Sequence, residues 1–136
     1  MTYRANTKTI CPIPMFSSAI PAGFPSPAED YTEGSLDLNE HLIKHPAATF
    51  FLRVSGDSMT GAGVYAGDLL LVDRSLTPAN NDIVIAAIHG ELTVKRLVKG
   101  TDGWFLKPEN PDYPCIDLPE ESKIWGVVKH TIRSFK

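Results

Sequence analysis

Residues 82–98, DIVIAAIHGELTVKRLV, contain two runs of β-favouring residues separated by one histidine and one glycine. Asp82–Ile88 is rich in Ile, Val and Ala, and Glu91–Val98 is rich in Leu, Val and Thr. Branched aliphatic residues favour strands, and His89-Gly90 places a glycine at the second position of a two-residue loop. The stretch therefore predicts an antiparallel β-hairpin.

The register of this hairpin places Lys95 among apolar side chains. With a two-residue loop, Val84 lies opposite Lys95 and Ala86 lies opposite Thr93. Side chains alternate between the two faces of a strand, so Lys95 shares its face with Val84, Ala86, Ile88, Thr93 and Leu97. Loss of water there favours the neutral amine, which can act as a general base near neutral pH. Because the other face is apolar too, a solvated lysine on an edge strand is the alternative.

Further strands and one short helix are predicted on both sides of the hairpin. The helix covers about Leu38–His45, because Asp37-x-x-Glu40 fits a capping box and Pro46 stops it. Runs of β-favouring residues occur at Thr49–Val54, Leu69–Asp73, Trp104–Leu106 and Ile124–Phe135. Many short strands and one short helix predict a mostly β domain over residues 35–136, either a partly closed barrel or a sandwich.

Residues 1–34 are predicted to form an extended N-terminal arm. This segment holds five of the eleven prolines, which remove backbone donors and favour extended geometry. Within it, Ala22-Gly23 is a pair of small residues whose peptide bond a nucleophile could reach easily. The alternative for this pair is an ordinary flexible loop. The chain is therefore divided into an arm, 1–34, and a β-rich domain, 35–136.

The segment SGDSM, residues 55–59, places Ser58 on a turn after a predicted strand. Gly56 breaks the strand, and a hydroxyl on such a turn can project into a cleft, where backbone N–H groups can form an oxyanion hole. The alternative is that Ser58 caps a turn or a short helix. A triad of Ser58 with His89 or His130 is disfavoured, because His89 is explained as a turn residue.

The composition argues against several classes of protein. The net charge is −3, and residues 1–22 hold two bases and no acid, so the rest of the chain is more acidic still. Direct DNA binding is not expected, because it relies on Lys and Arg that neutralise phosphates. Two isolated cysteines fit a reducing, cytoplasmic compartment, with a disulfide between them as the alternative. No apolar run reaches the roughly 18 residues of a membrane span. His41 and His45 lack further ligands in the sequence, so neither a metal nor a cofactor is expected.

The chain resembles the UmuD family from Ala22 to the C-terminus. Five motifs carry the resemblance: AGFPSPAxDY at residues 22–31, SGDSM at 55–59, GDLLxVD at 67–73, DIVIAA at 82–87 and TVK at 93–95, where x is a position that carries no part of it. UmuD proteins are SOS mutagenesis factors related to the peptidase domain of LexA-type repressors. The resemblance therefore implies a LexA/UmuD-type peptidase fold.

The same resemblance implies an autoproteolytic serine peptidase. Residue by residue, it makes Ser58 the nucleophile, Lys95 the general base and Ala22–Gly23 the bond that is cut. Some family members carry cysteine in place of Ala22, a mild departure because alanine is also small. The proline-rich stretch before the cut is too short for the helix-turn-helix domain of a LexA-type repressor, so a repressor is disfavoured.

The resemblance also implies partners. A RecA filament on single-stranded DNA is expected to stimulate the cut, and the product, 23–136, is expected to act as a homodimer. Its expected partner is a UmuC-like, Y-family DNA polymerase subunit in error-prone translesion synthesis. One alternative is a non-catalytic accessory module for a polymerase. Another, less favoured, is a protease that acts on other chains, as the related membrane-anchored signal peptidases do.

Overall fold

The chain forms two compact units. A computed structural model describes residues 2–4, 9–16, 19–25, 32–119 and 122–136. One unit comprises Met1–Ala5 and Ala47–Lys136, and the other comprises Asn6–Pro46. Residues 26–31, which complete the first family motif, lie outside the described residues.

Strands dominate both units. Numbered along the chain, they are β1 (Thr2–Arg4), β2 (Pro12–Phe16), β3 (Thr32–Asp37), β4 (Thr49–Arg53), β5 (Leu69–Asp73), β6 (Ile83–Ile88), β7 (Glu91–Gly100), β8 (Gly103–Lys107), β9 (Ile116–Asp117) and β10 (Lys123–Ile132). Eight of them form one antiparallel sheet in the first unit, in the order β1-β4-β5-β10-β6-β7-β8-β9. β2 and β3 form a two-stranded sheet in the second unit.

The predicted fold class is confirmed. The protein is mostly β, and the four strand runs outside the hairpin correspond to β4, β5, β8 and β10. β10 ends at Ile132, three residues before the predicted end at Phe135. Within the described residues, β1 and β9 are the two ends of the large sheet, so this sheet is open.

The hairpin has the register that the sequence predicts. Val84 pairs with Lys95 and Ala86 pairs with Thr93 across β6 and β7. The two loop residues, His89 and Gly90, have φ angles of 50° and 79°. A type I′ turn requires a positive φ at both central residues, and this turn matches the right-handed twist of the strands. The loop length therefore fixes which side chains face each other.

The core lies on both sides of the large sheet. One cluster contains Val54, Met59, Val64, Leu70, Val72 and Ile85. The other contains Val84, Ala86, Leu97, Leu106 and Val127. Successive residues of β6 alternate between the clusters, as expected for a strand covered on both faces. The near-continuous apolar runs of β5 and β6 reflect this double burial.

The second unit contains β2, β3 and the α-helix, α1 (Leu38–Leu42). Asp37 caps the helix, and its side chain accepts a hydrogen bond of 3.3 Å from the backbone N–H of Asn39. The predicted helix start is correct, but the predicted end at His45 is wrong. Ile43 takes an extended conformation and is buried, so the helix stops at Leu42.

Candidate active site

Ser58 lies on the serine loop, residues 54–68, which connects β4 to β5. Two hydrogen bonds of 2.9 Å close the base of this loop, from Val54 N–H to Asp68 O and from Gly67 N–H to Val54 O. Met59 is 1% exposed and packs in the core. Because its neighbour is fixed in the core, Ser58 is held at a defined place with its side chain partly exposed.

Lys95 is on β7, and its ammonium group reaches the serine. Its Nζ donates to Ser58 Oγ at 3.1 Å, to Thr93 Oγ1 at 2.8 Å and to the carbonyl oxygen of Val94 at 3.0 Å. All three acceptors are uncharged. The structure thus brings together two of the residues that the sequence singles out.

Burial lowers the pKa of Lys95 and so favours its neutral form. Lys95 is 8% exposed, and loss of water around its amine lowers the pKa of Lys95 below the ordinary value of 10.5. A base must lie about 2.6–3.2 Å from the proton that it removes, and the distance from Nζ to Oγ satisfies this. A buried lysine beside a serine hydroxyl has the arrangement of an activated nucleophile.

A cleft of about 190 Å³ opens beside Ser58. Its walls come from β4, β5, β6, β7 and the serine loop: Leu52, Arg53, Val54, Ser55, Ser58, Leu70, Ile85, Leu92, Thr93 and Val94. Clefts for drug-sized ligands measure roughly 300–1,000 Å³. The cleft beside Ser58 is smaller than this range.

Two residues that the sequence did not single out, Asn110 and Tyr113, form hydrogen bonds with Asp57 of the serine loop. Asn110 Nδ2 donates to the backbone oxygen of Asp57 at 2.8 Å, and the Tyr113 hydroxyl donates to the Asp57 carboxylate. This hydrogen bond raises the pKa of Tyr113. The stretch PENPDYP, residues 108–114, predicts a loop. It does not predict that Asn110 and Tyr113 contact Asp57, which lies 53 and 56 residues earlier in the chain.

Glu109 forms a second contact with the same loop. Its backbone oxygen accepts from Gly61 N–H at 2.7 Å, and a Cβ at position 61 would lie 2.6 Å from that oxygen. Its side chain pairs with Arg96, the residue after Lys95, at 2.6 Å. Gly61 is therefore required for this close approach, and Glu109 connects the two segments that carry Ser58 and Lys95.

The other candidate residues are placed as follows. Ala22 and Gly23 belong to the second unit, where both are exposed on the segment between β2 and β3. In the part of the chain that the structure describes, Ser58 Oγ is hydrogen-bonded to Lys95 and not to a histidine. The described ranges contain no group of three His, Cys, Asp or Glu side chains arranged for a metal ion. They also contain no helix long and apolar enough to cross a membrane.

Comparison with known proteins identifies the family of the chain. The family described as Peptidase S24-like matches residues 14–129. The chain therefore belongs to this family of LexA-like serine peptidases.

Individual relatives show which members of this family the chain is similar to. Protein SamA of Salmonella typhimurium (strain LT2) is 54% identical over 115 residues, which cover 85% of this chain and 81% of that protein. Protein MucA of Escherichia coli is 50% identical over 123 residues, or 88% of this chain and 84% of that protein. LexA repressor 1 of Geobacter sulfurreducens is 39% identical over 119 residues, covering 87% of this chain and 58% of the repressor. These matches confirm the resemblance to the UmuD family and its link to SOS mutagenesis.

Proposed function

We propose that the protein cleaves its own chain between Ala22 and Gly23, with Ser58 as the nucleophile and Lys95 as the general base. The observation that carries this proposal is the 3.1 Å hydrogen bond between the buried Lys95 Nζ and Ser58 Oγ. Membership of a serine peptidase family supports the same reading. The peptide bond between Ala22 and Gly23 is a suitable target, because both residues are small and exposed.

The reaction runs in two halves. Neutral Lys95 takes the hydroxyl proton of Ser58 while Oγ attacks the carbonyl carbon of Ala22, and the resulting ammonium then protonates the amine of Gly23. This breaks the Ala22–Gly23 bond and leaves Ala22 as an ester on Ser58. Lys95 next takes a proton from water, which attacks the ester and releases fragment 1–22. Ser58 regains its proton from Lys95.

Neighbouring groups support each half. Thr93 Oγ1 and the Val94 carbonyl fix the direction of the lysine amine and accept from it once it is charged. Among the hydrogen bonds of the described ranges, none uses the backbone N–H of Ser58 or of Met59. These two N–H groups are available for the oxyanion that develops on Ala22.

The family resemblance extends the proposal to partners. Residues 1–34 act as the arm that carries the cut, and residues 35–136 act as the peptidase domain. A RecA filament on single-stranded DNA stimulates cleavage. The product, 23–136, works as a homodimer with a UmuC-like, Y-family DNA polymerase subunit. Relatives such as SamA and MucA support this assignment by their similarity over most of both chains.

The test is the intact mass of the purified chain after incubation between about pH 7 and about pH 10.5. We expect fragments 1–22 and 23–136 to form faster as the pH rises, until Lys95 is neutral and the rate levels off. Ser58→Ala and Lys95→Ala should prevent cleavage at every pH. Matched controls are Ser134→Ala and Lys99→Ala, which change the same residue types outside the site. The incubation is repeated with RecA, single-stranded DNA and nucleotide. A chain that stays whole under both conditions would favour the non-catalytic accessory module.

A further inference from the structure

The proposed cut separates two strands, β1 and β2, from the strands with which they pair. β1 pairs with β4, and β2 pairs with β3. The bond between Ala22 and Gly23 follows β2 and precedes β3 along the chain. Cleavage therefore leaves β1 and β2 on fragment 1–22, and leaves β3 and β4 on 23–136.

The two separated strands differ in what they retain. Among the strands that the structure describes, β3 pairs with β2 alone, so its ladder is lost when β2 leaves. β4 keeps β5 on its other side and stays within the large sheet. A lone strand is unstable, whereas a strand paired on one side persists as an edge. β4 is thus the strand that the cut would turn into a stable, open edge.

β4 has few of the features that protect natural sheet edges. Its sequence, Thr49-Phe50-Phe51-Leu52-Arg53, contains β-favouring residues, no proline and one charge. In the intact chain, β1 covers it in an antiparallel register, with Thr2 opposite Leu52 and Arg4 opposite Phe50. The register shows that this edge accepts a short extended segment through backbone pairing.

The covalent link is what keeps so short a strand in place. β1 has three residues, and residues 5–48 tether it to β4, so its pairing is intramolecular. Tethering gives a high effective concentration, which cleavage removes. After the cut, two noncovalent ladders hold fragment 1–22: the three-residue pairing of β1 with β4, and the pairing of β2 with β3. β2 is exposed along its whole length and contains two prolines, which donate no backbone hydrogen bond. Ladders this short and exposed are too weak to retain the fragment.

We propose that β4 is a strand-binding edge that β1 occupies before cleavage and that the cut opens to an extended segment of a protein partner. This inference rests on the proposed cut at Ala22–Gly23. The partner is recognised mainly by its backbone, since Thr49 is buried and Phe50, Phe51 and Leu52 are half-buried in the sheet. β-strand addition of this kind tolerates changes in side chains but not the loss of backbone donors.

The experiment makes the cut without using Ser58. A full-length chain carries Ser58→Ala and, in place of the exposed residues 20–25, a recognition sequence for an added site-specific protease. The same chain without protease is the control. Three readouts follow: whether the N-terminal fragment separates, the hydrogen exchange of residues 49–53, and the binding of a labelled peptide, MTYRANTK. A second peptide carries Tyr3→Pro and Arg4→Pro, which removes whichever of two adjacent amides faces β4.

We expect the fragment to separate, and exchange of the β4 amides that face β1 to rise about tenfold or more. The first peptide, added in large excess over the released fragment, should bind the cut chain but not the uncut chain. Changing Thr2 to Val should leave peptide binding intact, whereas the proline peptide should not bind. Retention of the fragment, or equal binding of both peptides, would overturn the proposal. The proposal would also be overturned if the cut chain doubled its mass in light scattering and did not bind the peptide. A second copy of the chain would then occupy the edge of β4. Since the added protease makes the cut, failure of self-cleavage leaves this test unaffected.

Discussion

Arg96 Nε and Glu109 Oε1 lie 2.6 Å apart, and this ion pair connects the strand that carries Lys95 to a residue that contacts the serine loop. Arg96 also donates from Nη1 to the backbone oxygen of Asn81 at 2.6 Å. The Glu109 backbone oxygen in turn holds Gly61, three residues after Ser58. The pair therefore connects the two segments that carry the proposed base and the proposed nucleophile, and it does not touch Ser58 Oγ or Lys95 Nζ.

Glu109→Gln should slow self-cleavage while changing stability little. Both side chains are about one-quarter exposed, so water screens the pair and its loss should cost only about 0.5–1 kcal/mol. Small displacements of a nucleophile lower reaction rates strongly, and we expect the rate constant to fall about threefold to tenfold. The rate comes from intact masses over time, and stability from urea unfolding of the same variant.

A double-mutant cycle separates positioning from general loosening. If Arg96 acts through Glu109, the double variant Arg96→Gln/Glu109→Gln should cleave no more slowly than the slower single variant. Rates that fall multiplicatively in the double variant would show that the two residues act independently. In that case the ion pair has no positioning role.

The cleavage rate should rise with pH and level off below pH 10.5, the ordinary pKa of lysine. Burial lowers the pKa of Lys95, so the neutral, active form appears at a lower pH than for an exposed lysine. Lys95→Arg should abolish cleavage across the range, because arginine stays protonated. The measurement is the single-turnover rate as a function of pH. A wild-type rate that still climbs above pH 10.5 would contradict a lowered lysine pKa.

Much of the large sheet follows from local sequence rules. The loop His89-Gly90 sets the turn, the turn sets the register, and the register predicts that Val84 faces Lys95. The start of α1 likewise follows from Asp37, whose side chain accepts from the helix. These features depend on residues close together in the chain, which is why the sequence predicts them.

Other features depend on distant packing. Both faces of β7 are apolar in sequence, so periodicity cannot tell that Lys95 is buried; only the cover from other strands decides this. The contact of Tyr113 with Asp57 spans 56 residues, and no local pattern indicates it. The early end of α1 arises because Ile43 leaves the helix for a buried site.

Tyr113→Phe should change the alkaline end of the pH profile. The Tyr113 hydroxyl donates to the Asp57 carboxylate, next to Ser58, and this bond raises the pKa of Tyr113 above 10.0. Once Tyr113 ionises, the phenolate loses its donor and repels the carboxylate. The wild-type rate should therefore fall again at a pH above 10.0, and the variant should be slower at lower pH but lack that fall.

Tyr65→Phe is the matched control, because the Tyr65 ring stacks under Arg133, whereas the hydroxyl bonded to Asp57 is that of Tyr113. It should keep the wild-type profile, including the alkaline fall. Phenolate absorbance, recorded on both variants, assigns the titration to one tyrosine. An alkaline fall that persists in Tyr113→Phe would mean that another group causes it.

Asp68 should make the large sheet sensitive to acid. Its carboxylate is 1% exposed and receives two hydrogen bonds of 2.7 Å from Arg133, besides bonds from Thr131 and from Tyr65 N–H. The hydrogen bonds from Arg133, foremost among these, hold the pKa of Asp68 well below its usual range. Because the pKa is lower in the folded state, this stabilisation is present above the unfolded-state pKa of 3.8. It is lost as the pH falls below that value.

Asp68→Asn should lower the free energy of unfolding at neutral pH by about 1–3 kcal/mol, because the amide cannot accept all of these donors and leaves buried groups unsatisfied. The variant should also lose the part of the acid sensitivity that Asp68 causes, so the stabilities of the two proteins converge below pH 3.8. Urea unfolding at a series of pH values measures both effects. Glu91→Gln removes an exposed carboxylate and should follow the wild-type curve. If the gap between wild type and Asp68→Asn stays constant as the pH falls, Asp68 is not the group whose protonation weakens the fold in acid.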